Sequence, residues 1–296
     1  MHLIVESIGF GIATGAVIAL GAVGFSVQFG ISNVLNITYG ALMTVSAFLG
    51  LILVNQGVSA WVALPVCAIA VGVLSVVFNR LLLTPLSRRG TSPVAMIVVT
   101  VSAGTILQYV IVAIAGPASQ SYGEQSGTTL HFIGMTLSLG QVVIIVLTLV
   151  LMLALHLLLT RTTLGKAMRA TSSNRTLARS CGIATQRISD IAWLLSGALC
   201  GAAGVTLAIT TVSFDFTLGG LFLIPMIAAA VLGGIGQPYG AMLGALIIGV
   251  STQVFAAVSD PNYQDLVAFG ILIAVLLLRP RGLFNTGSSA RRLLEG

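Results

Sequence analysis

Charge is what this chain of 296 residues most lacks: 7% of it is Asp, Glu, Lys or Arg, against about a quarter in a globular protein. Thirteen basic and seven acidic side chains are too few to coat a surface of this size. A water-soluble fold is therefore excluded, and most of the exterior must meet hydrocarbon. Histidine and cysteine are equally scarce, three of each. Cys67, Cys181 and Cys200 are scattered, odd in number and without metal-ligand spacing, so neither a disulfide framework nor a zinc site is implied. They read as small packing residues, and His2, His131 and His156 lie too far apart in sequence to suggest a ligand set. The chain contains no HExxH, no G-x-S-x-G and no G-x-x-x-x-G-K-[ST]. Leu164-Gly165-Lys166 comes nearest to a phosphate loop but lacks the upstream glycine and the following Ser/Thr, so ATP hydrolysis by this chain alone is excluded.

What the chain does have is apolar length: 57% of it is hydrophobic. Crossing a bilayer core of about 30 Å takes roughly twenty apolar residues. By that measure the sequence predicts an all-α, polytopic helical bundle, one transmembrane domain over 1–296, with spans near 5–27, 31–54, 58–83, 94–115, 139–160, 190–211, 221–235, 240–258 and 264–279. Two of these are irregular. The seventh is short and runs into Gly233-Gly234-Ile235-Gly236-Gln237-Pro238-Tyr239-Gly240, and the second opens with the polar run Ser32-Asn33-Val34-Leu35-Asn36-Ile37-Thr38-Tyr39. Broken or re-entrant helices are tolerated only inside a bundle. The count is thus eight or nine, and a C-terminus in the cytoplasm puts the N-terminus outside only if all nine cross. The stretch from His2 to Leu20 has no basic region before it and reads as a retained helix, not a cleaved signal.

The charges are sorted. All thirteen bases fall within Arg80–Arg89, Arg161–Arg187 and Arg279–Arg292, which the positive-inside rule assigns to the cytoplasm, the last as a tail over 279–296. Glu124, Asp260 and Asp265 then fall on the opposite side. A pI near 9.8 could suggest nucleic acid, but these bases flank apolar spans without a folded basic domain. Lipid of the inner leaflet and an intracellular partner suit them better.

Glycine, with 34 residues, is the most informative residue type. The spacings Gly11/Gly15, Gly197/Gly201, Gly236/Gly240 and Gly240/Gly244 are small-xxx-small patterns that let helix backbones approach closely. Tyr39-Gly40-Ala41-Leu42-Met43 and Tyr239-Gly240-Ala241-Met242-Leu243 echo one another, each opening an apolar helix after a helix-breaking run, as in transporters built of repeats. Chance recurrence in a Gly/Ala-rich chain is the alternative. Asp215, the one carboxylate in a short loop between apolar segments, either faces a substrate amine or guards a pore mouth, or else is a solvated loop acid.

The segment 161–190 separates two spans and carries six bases. Asn174 to Ser180 predicts a short amphipathic helix, with Leu177 and Ala178 on one side, Arg175 and Arg179 on another, and Gly182 as its stop. Such a helix between spans could plug a groove on a cytosolic partner; a merely solvated loop is the other reading.

These residues carry a resemblance. Gly165-Lys166-Ala167-Met168-Arg169-Ala170, then Ala178, then Gly182-Ile183, resembles the cytoplasmic signature of permeases of branched-chain amino acid ABC importers, the LivH/LivM type. In the same order, Leu20-Gly21 through Gly30 to Asn36-Ile37-Thr38-Tyr39-Gly40 resembles a motif that in the family usually reads Asn, apolar, Ala, His, Gly. Ser196-Gly197-Ala198-Leu199-Cys200-Gly201-Ala202-Ala203-Gly204 resembles the small-residue helix after the coupling loop. Val231-Leu232-Gly233-Gly234-Ile235-Gly236 with Gly240-Ala241-Met242-Leu243-Gly244, then Arg279-Pro280-Arg281-Gly282-Leu283-Phe284, completes the match over nearly the whole chain.

The resemblance implies an inner-membrane subunit without a cofactor of its own. A second permease subunit, identical or related, would share the path; two cytosolic ATPases would bind ATP and Mg; an extracytoplasmic binding protein would deliver cargo. It further implies that Arg169, Ala170, Leu177, Ala178, Gly182 and Ile183 couple to the ATPase. Gly40, Gly233, Gly234, Gly236, Gly240 and Gly244 serve breaks and packing. Tyr39-Gly40-Ala41 departs from the family's His, Gly and acid. The family also moves urea and short amides, and neutral cargo needs hydrogen-bonding groups. Asn33, Asn36, Thr38, Tyr39, Gln237 and Tyr239 could supply them along a path, or could bond helix to helix. An ATP-independent channel or ion-driven carrier is the rival in another class. An intramembrane enzyme would need a base–nucleophile pair, which none of the motifs supplies, and a scaffold needs no polar breaks.

Overall fold

Away from water a backbone must satisfy its own N–H and C=O groups, and for runs this apolar the helix does so locally. The computed structural model describes residues 2–123, 129–132, 135–259, 264–278 and 282. Its helices are α1 (His2–Ser32), α2 (Thr38–Asn55), α3 (Ala60–Phe78), a π-helical turn (Asn79–Leu83), α4 (Thr84–Arg88), α5 (Pro93–Ala115), α6 (Leu139–Arg161), α7 (Thr163–Ser173), α8 (Arg175–Ser180), α9 (Thr185–Thr210), α10 (Leu218–Gly233), α11 (Pro238–Val258) and α12 (Gln264–Leu278). Between α5 and α6, β1 (Thr129–Phe132) pairs antiparallel with β2 (Met135–Ser138), Phe132 opposite Met135.

Among the described residues seven helices are long and apolar enough to cross a membrane, with Leu218–Gly233 and Leu266–Leu278 as shorter apolar ones. The sequence placed the second span from residue 31; instead α1 runs on to Ser32 and α2 starts at Thr38. The polar run is thus a break between helices and not the start of one. The tail 279–296 lies outside the described residues apart from Gly282, as do Glu124, Asp260 and the side chains of His131 and Asp265.

Burial sorts the bundle into centre and rim. The spans in α1 and α9 are each 78% buried, whereas that in α5 is 17% and that in α6 is 22% buried. The rim exposes large apolar side chains (Val98, Tyr109 and Ile114 on α5; Leu149 and Leu153 on α6), a surface suited to lipid tails. At the centre the small residues do what their spacing predicts. Gly11 lies against Val250 of α11, and Gly249 packs against Gly15, so α1 and α11 run antiparallel. Gly197 and Gly201 of α9 meet Ser75 and Ala68 of α3. Close backbone approach replaces the hydrophobic force that is missing between helices in lipid. Gly236 departs from the small-xxx-small reading, because it sits in the turn before α11 and not on a helix face.

The two ends differ chemically. One carries Arg88 at the end of α4, the helices α7 and α8, and the start of α9. There Thr162 caps α7 and Asn174 caps α8, each side chain accepting from a backbone N–H three residues on. At the other end the Tyr122 hydroxyl donates to the Ala47 carbonyl at 2.6 Å, residues 120 and 214 form a β-bridge, and Tyr122 and Phe48 both meet Phe214 edge-on. Burial pushes the Tyr122 phenol above its ordinary pKa.

Candidate functional site

The first break, residues 33–37, turns on Asn33, whose φ of +51° is a conformation Asn tolerates better than most side chains. Its polar groups divide into paired and unpaired. Thr38 Oγ1 donates to the Thr100 carbonyl at 2.5 Å, and Ile37 N–H donates to Thr100 Oγ1, tying the break to α5. The Tyr39 hydroxyl donates to the Ser196 carbonyl at 3.1 Å, and Ser196 Oγ donates to Gln28 Oε1 at 3.2 Å. Thr38 and Tyr39 are therefore enclosed and bonded to neighbouring helices, the interhelical alternative of the two the sequence allowed. Asn36 is fully buried, and both ends of its carboxamide lack a partner among the described residues, as do Gln28 Nε2 and Ser26 Oγ. Asn33 is exposed.

The second break separates α10 from α11 at residues 234–237. Gly234 has φ +103° and Gly236 has φ +85°; only glycine adopts such angles without strain. On either side, Gly233 and Gly240 touch backbone to backbone, and Gly244 packs on the Ala229 carbonyl. Gly236 lies against Gly30, so the second break meets α1 just before the first. Pro238 opens α11, where its missing N–H costs nothing. Gln237 is half-buried.

Tyr239 does not join this interior. It is 46% exposed, and its hydroxyl is 3.0 Å from His156 Nδ1 on α6. The reason is register: Gly40 and Gly240 both lie against α10, at Gly219 and Gly233, but Tyr39 points into the core and Tyr239 onto the rim. The sequence echo holds for the glycines and fails for the tyrosines. The pairing of His156 with Tyr239 spans eighty-three positions, and no local signal announced it.

The 161–190 segment is two helices, not one. In α7, Gly165, Met168 and Thr171 are buried at helical spacing, leaving Arg169 exposed and Ala170 half-buried. Asn174 breaks the chain, and α8 follows up to Cys181, with Gly182 at φ +83° and nothing within 4 Å of a Cβ built there. Leu177 and Ala178 do not share a face, contrary to the sequence reading. Leu177 is 61% exposed and Ala178 is 4% exposed, since adjacent helical positions are about 100° apart. Leu177 and Gly182 are thus presented outward, Ile183 is half-buried, and Ala178 anchors α8 inward.

Behind this segment the start of α9 is fixed by Asp190. Its Oδ2 accepts from Arg80 Nε at 3.0 Å and Nη2 at 2.8 Å, and its Oδ1 from Asn79 at 3.2 Å and Gln186 at 3.3 Å. The π-helical turn is what delivers the consecutive residues Asn79 and Arg80 to the same carboxylate. At the opposite end a cavity of about 630 Å³ runs between α1, α9, α10 and α11, with Thr14, Thr210, Asp215 and Gln253 among its walls. Asp215 Oδ1 accepts from the Thr217 N–H and hydroxyl, so Asp215 is a turn-forming residue that also borders a cavity. Thr14 and Gln253, bonded to each other at 3.1 Å, were not legible as cavity residues because no motif surrounds them.

An apolar helical bundle broken at residues 33–37 and 234–237, with a two-helix basic segment at one end, defines the membrane-embedded subunit of a transporter. The chain belongs to the family described as branched-chain amino acid transport system / permease component, whose model matches residues 7–276. It is 29% identical to the high-affinity branched-chain amino acid transport system permease protein BraD of Pseudomonas aeruginosa, over 93% of this chain and 94% of that one. It is 31% identical to the probable branched-chain amino acid transport permease protein LivH of Methanocaldococcus jannaschii, over 92% and 89% respectively. In fold it is similar to a chain in the solved structure of PsaBC from Streptococcus pneumoniae in complex with Fab, at a TM-score of 0.54 and 13% identity over 95% of this chain and 93% of that one.

Proposed function

We propose that this chain is the membrane-spanning permease subunit of a binding-protein-dependent ABC importer of branched-chain amino acids, in the bacterial inner membrane. One observation carries the reading: an exposed apolar residue, Leu177, on a capped short helix at the basic end of an apolar bundle. By the positive-inside rule that end and the C-terminal tail are cytoplasmic, and nine crossings put the N-terminus outside. A helix tip offering one apolar side chain among arginines suits a groove on a cytosolic ATPase, two copies of which would bind ATP and Mg. A second permease subunit would complete the path, and an extracytoplasmic binding protein would load it at the Asp215 end. Closure of the ATPases would move α7 and α8, and with them the interior breaks.

Within the path, Asn36, Gln237 and Asn33 are the proposed cargo-facing groups, and Gly40, Gly233, Gly234, Gly236, Gly240 and Gly244 allow the neighbouring helices to slide. Co-reconstitution with the ATPases and the binding protein tests this. Leucine uptake should require ATP and should fall to background when Leu177 is replaced by Asp, with the chain still in the membrane. Uptake that continues without ATP supports the channel or carrier instead. The uncharged breaks favour a second cargo reading, a neutral amide such as urea, decided by competition in the same assay.

A further inference from the structure

At the basic end two cavities adjoin. One, of about 610 Å³, is walled by Arg80, Arg88, Arg179 and Arg187 together with Asp190. The other, of about 360 Å³, is walled by Arg88, Arg175 and Arg179 with Trp193. Arg88 and Arg179 belong to both. The one acid here, Asp190, is already held by Arg80 at 2.8 Å, and Arg88, Arg175, Arg179 and Arg187 have no acidic partner among the described residues. Partial burial, and after it the charge of Arg179, lower the Arg175 pKa from its ordinary value. Trp193 is fully buried in the wall, and its indole N–H has no partner among the described residues. Forked guanidinium donors around one space suit a phosphate group.

The surroundings decide where that phosphate comes from. Leu81, beside Arg80, is 73% exposed, and Val77 on α3 and Val94 and Val98 on α5 are exposed apolar side chains as well. A hydrocarbon-facing surface therefore runs up to the arginines. We propose that these joined cavities bind the phosphate headgroup of an anionic phospholipid, its acyl chains lying along that surface. The lipid would tie α4 to α8 and the start of α9, and so fix the posture of the projecting segment. This inference needs no cargo and no transport, so it stands or falls separately from the permease assignment.

The test uses the purified full-length chain in detergent, read as the melting temperature during titration with dioleoylphosphatidylglycerol, with dioleoylphosphatidylcholine and with inorganic phosphate. The anionic lipid should raise the melting temperature saturably and the other two should not. Arg88→Gln with Arg179→Gln should weaken the apparent affinity on the order of 30-fold. Arg88→Lys with Arg179→Lys, which keeps the charge and loses the fork, should weaken it less than the Gln pair does, and Arg161→Gln, outside the cavities, should leave it unchanged. Should the double Gln variant fail to fold, Arg88→Gln alone should weaken binding on the order of fivefold. Equal responses to the two lipids overturn the proposal, as does an undiminished response in the Gln variants. Full stabilisation by phosphate alone assigns the site to a soluble anion instead. A Gln variant that binds lipid normally but no longer assembles with the ATPase assigns the arginines to an acidic protein surface.

Discussion

Gly233 and Gly240 close the second break upon each other: a Cβ on either would overlap the other's backbone carbonyl. Neither atom is the tip of a flexible side chain, so nothing nearby can swing aside. Gly240→Val should therefore cost at least the upper part of the about 1–3 kcal/mol usual for overpacking, seen as a lower melting temperature in detergent and reduced yield in the membrane. Gly270 in α12 meets nothing within 4 Å, and Gly270→Ala should be neutral or slightly stabilising, since Ala is the better helix former. Equal effects at the two positions would refute the backbone contact.

Asp190 gathers donors from three residues, Asn79, Arg80 and Gln186, whereas Arg80 has Asp190 alone as its acidic partner. Losing the acceptor strands several donors; losing Arg80, which is mostly in solvent, leaves a carboxylate that two neutral donors still hold. Asp190→Ala should consequently lower the melting temperature more than Arg80→Ala, and Asp190→Asn should fall between them. The three variants compared in one thermal series check the order.

Much of this was legible beforehand because lipid leaves a sequence few options. Apolar runs had to be helices, the bases of 80–89 and 161–187 had to gather at one end, and Gly11, Gly15, Gly197 and Gly201 sat at spacings that only a close helix contact uses. The short seventh segment was also visible, since Gly233 to Gly240 cannot continue a helix. What stayed hidden depends on rotation about a helix axis. Tyr39 and Tyr239 follow similar breaks yet face core and rim, and Leu177 and Ala178 are neighbours with opposite exposures. Long-range pairs such as His156 with Tyr239, or Thr14 with Gln253, join residues whose surroundings are unremarkable. The arginine cavities need α4, α8 and α9 brought together, and only Arg175 and Arg179 were legible as one cluster.

The split between Leu177 and Ala178 separates coupling from stability. Leu177→Asp changes an outward side chain and should leave the melting temperature within about 0.5 kcal/mol of the parent while abolishing stimulation of the partner ATPase. Ala178→Leu forces a larger side chain into a closed contact and should destabilise the chain by about 1–3 kcal/mol. Gly182→Ala should cost about 1 kcal/mol through its positive φ alone, with no clash to relieve. ATPase stimulation and thermal unfolding, measured on the same preparations, distinguish the three. Stimulation that survives Leu177→Asp would remove α8 as the contact.

Tyr39 and Tyr239 make the corresponding contrast in the interior. Removing the Tyr39 hydroxyl breaks its bond to the Ser196 carbonyl, and a hydrogen bond between helices in a membrane is worth about 0.6 kcal/mol. Tyr39→Phe should therefore be mild in stability and should leave cargo selectivity alone, whereas Tyr39→Ala should cost about 3–5 kcal/mol by opening a cavity. Tyr239 lies on the rim and bonds His156 across α6 and α11, so Tyr239→Phe should barely move the melting temperature. If a second permease subunit covers that rim, the same variant should weaken association of the two membrane subunits, read by size-exclusion chromatography with light scattering. A change in leucine affinity instead, with association intact, would return Tyr239 to the cargo path.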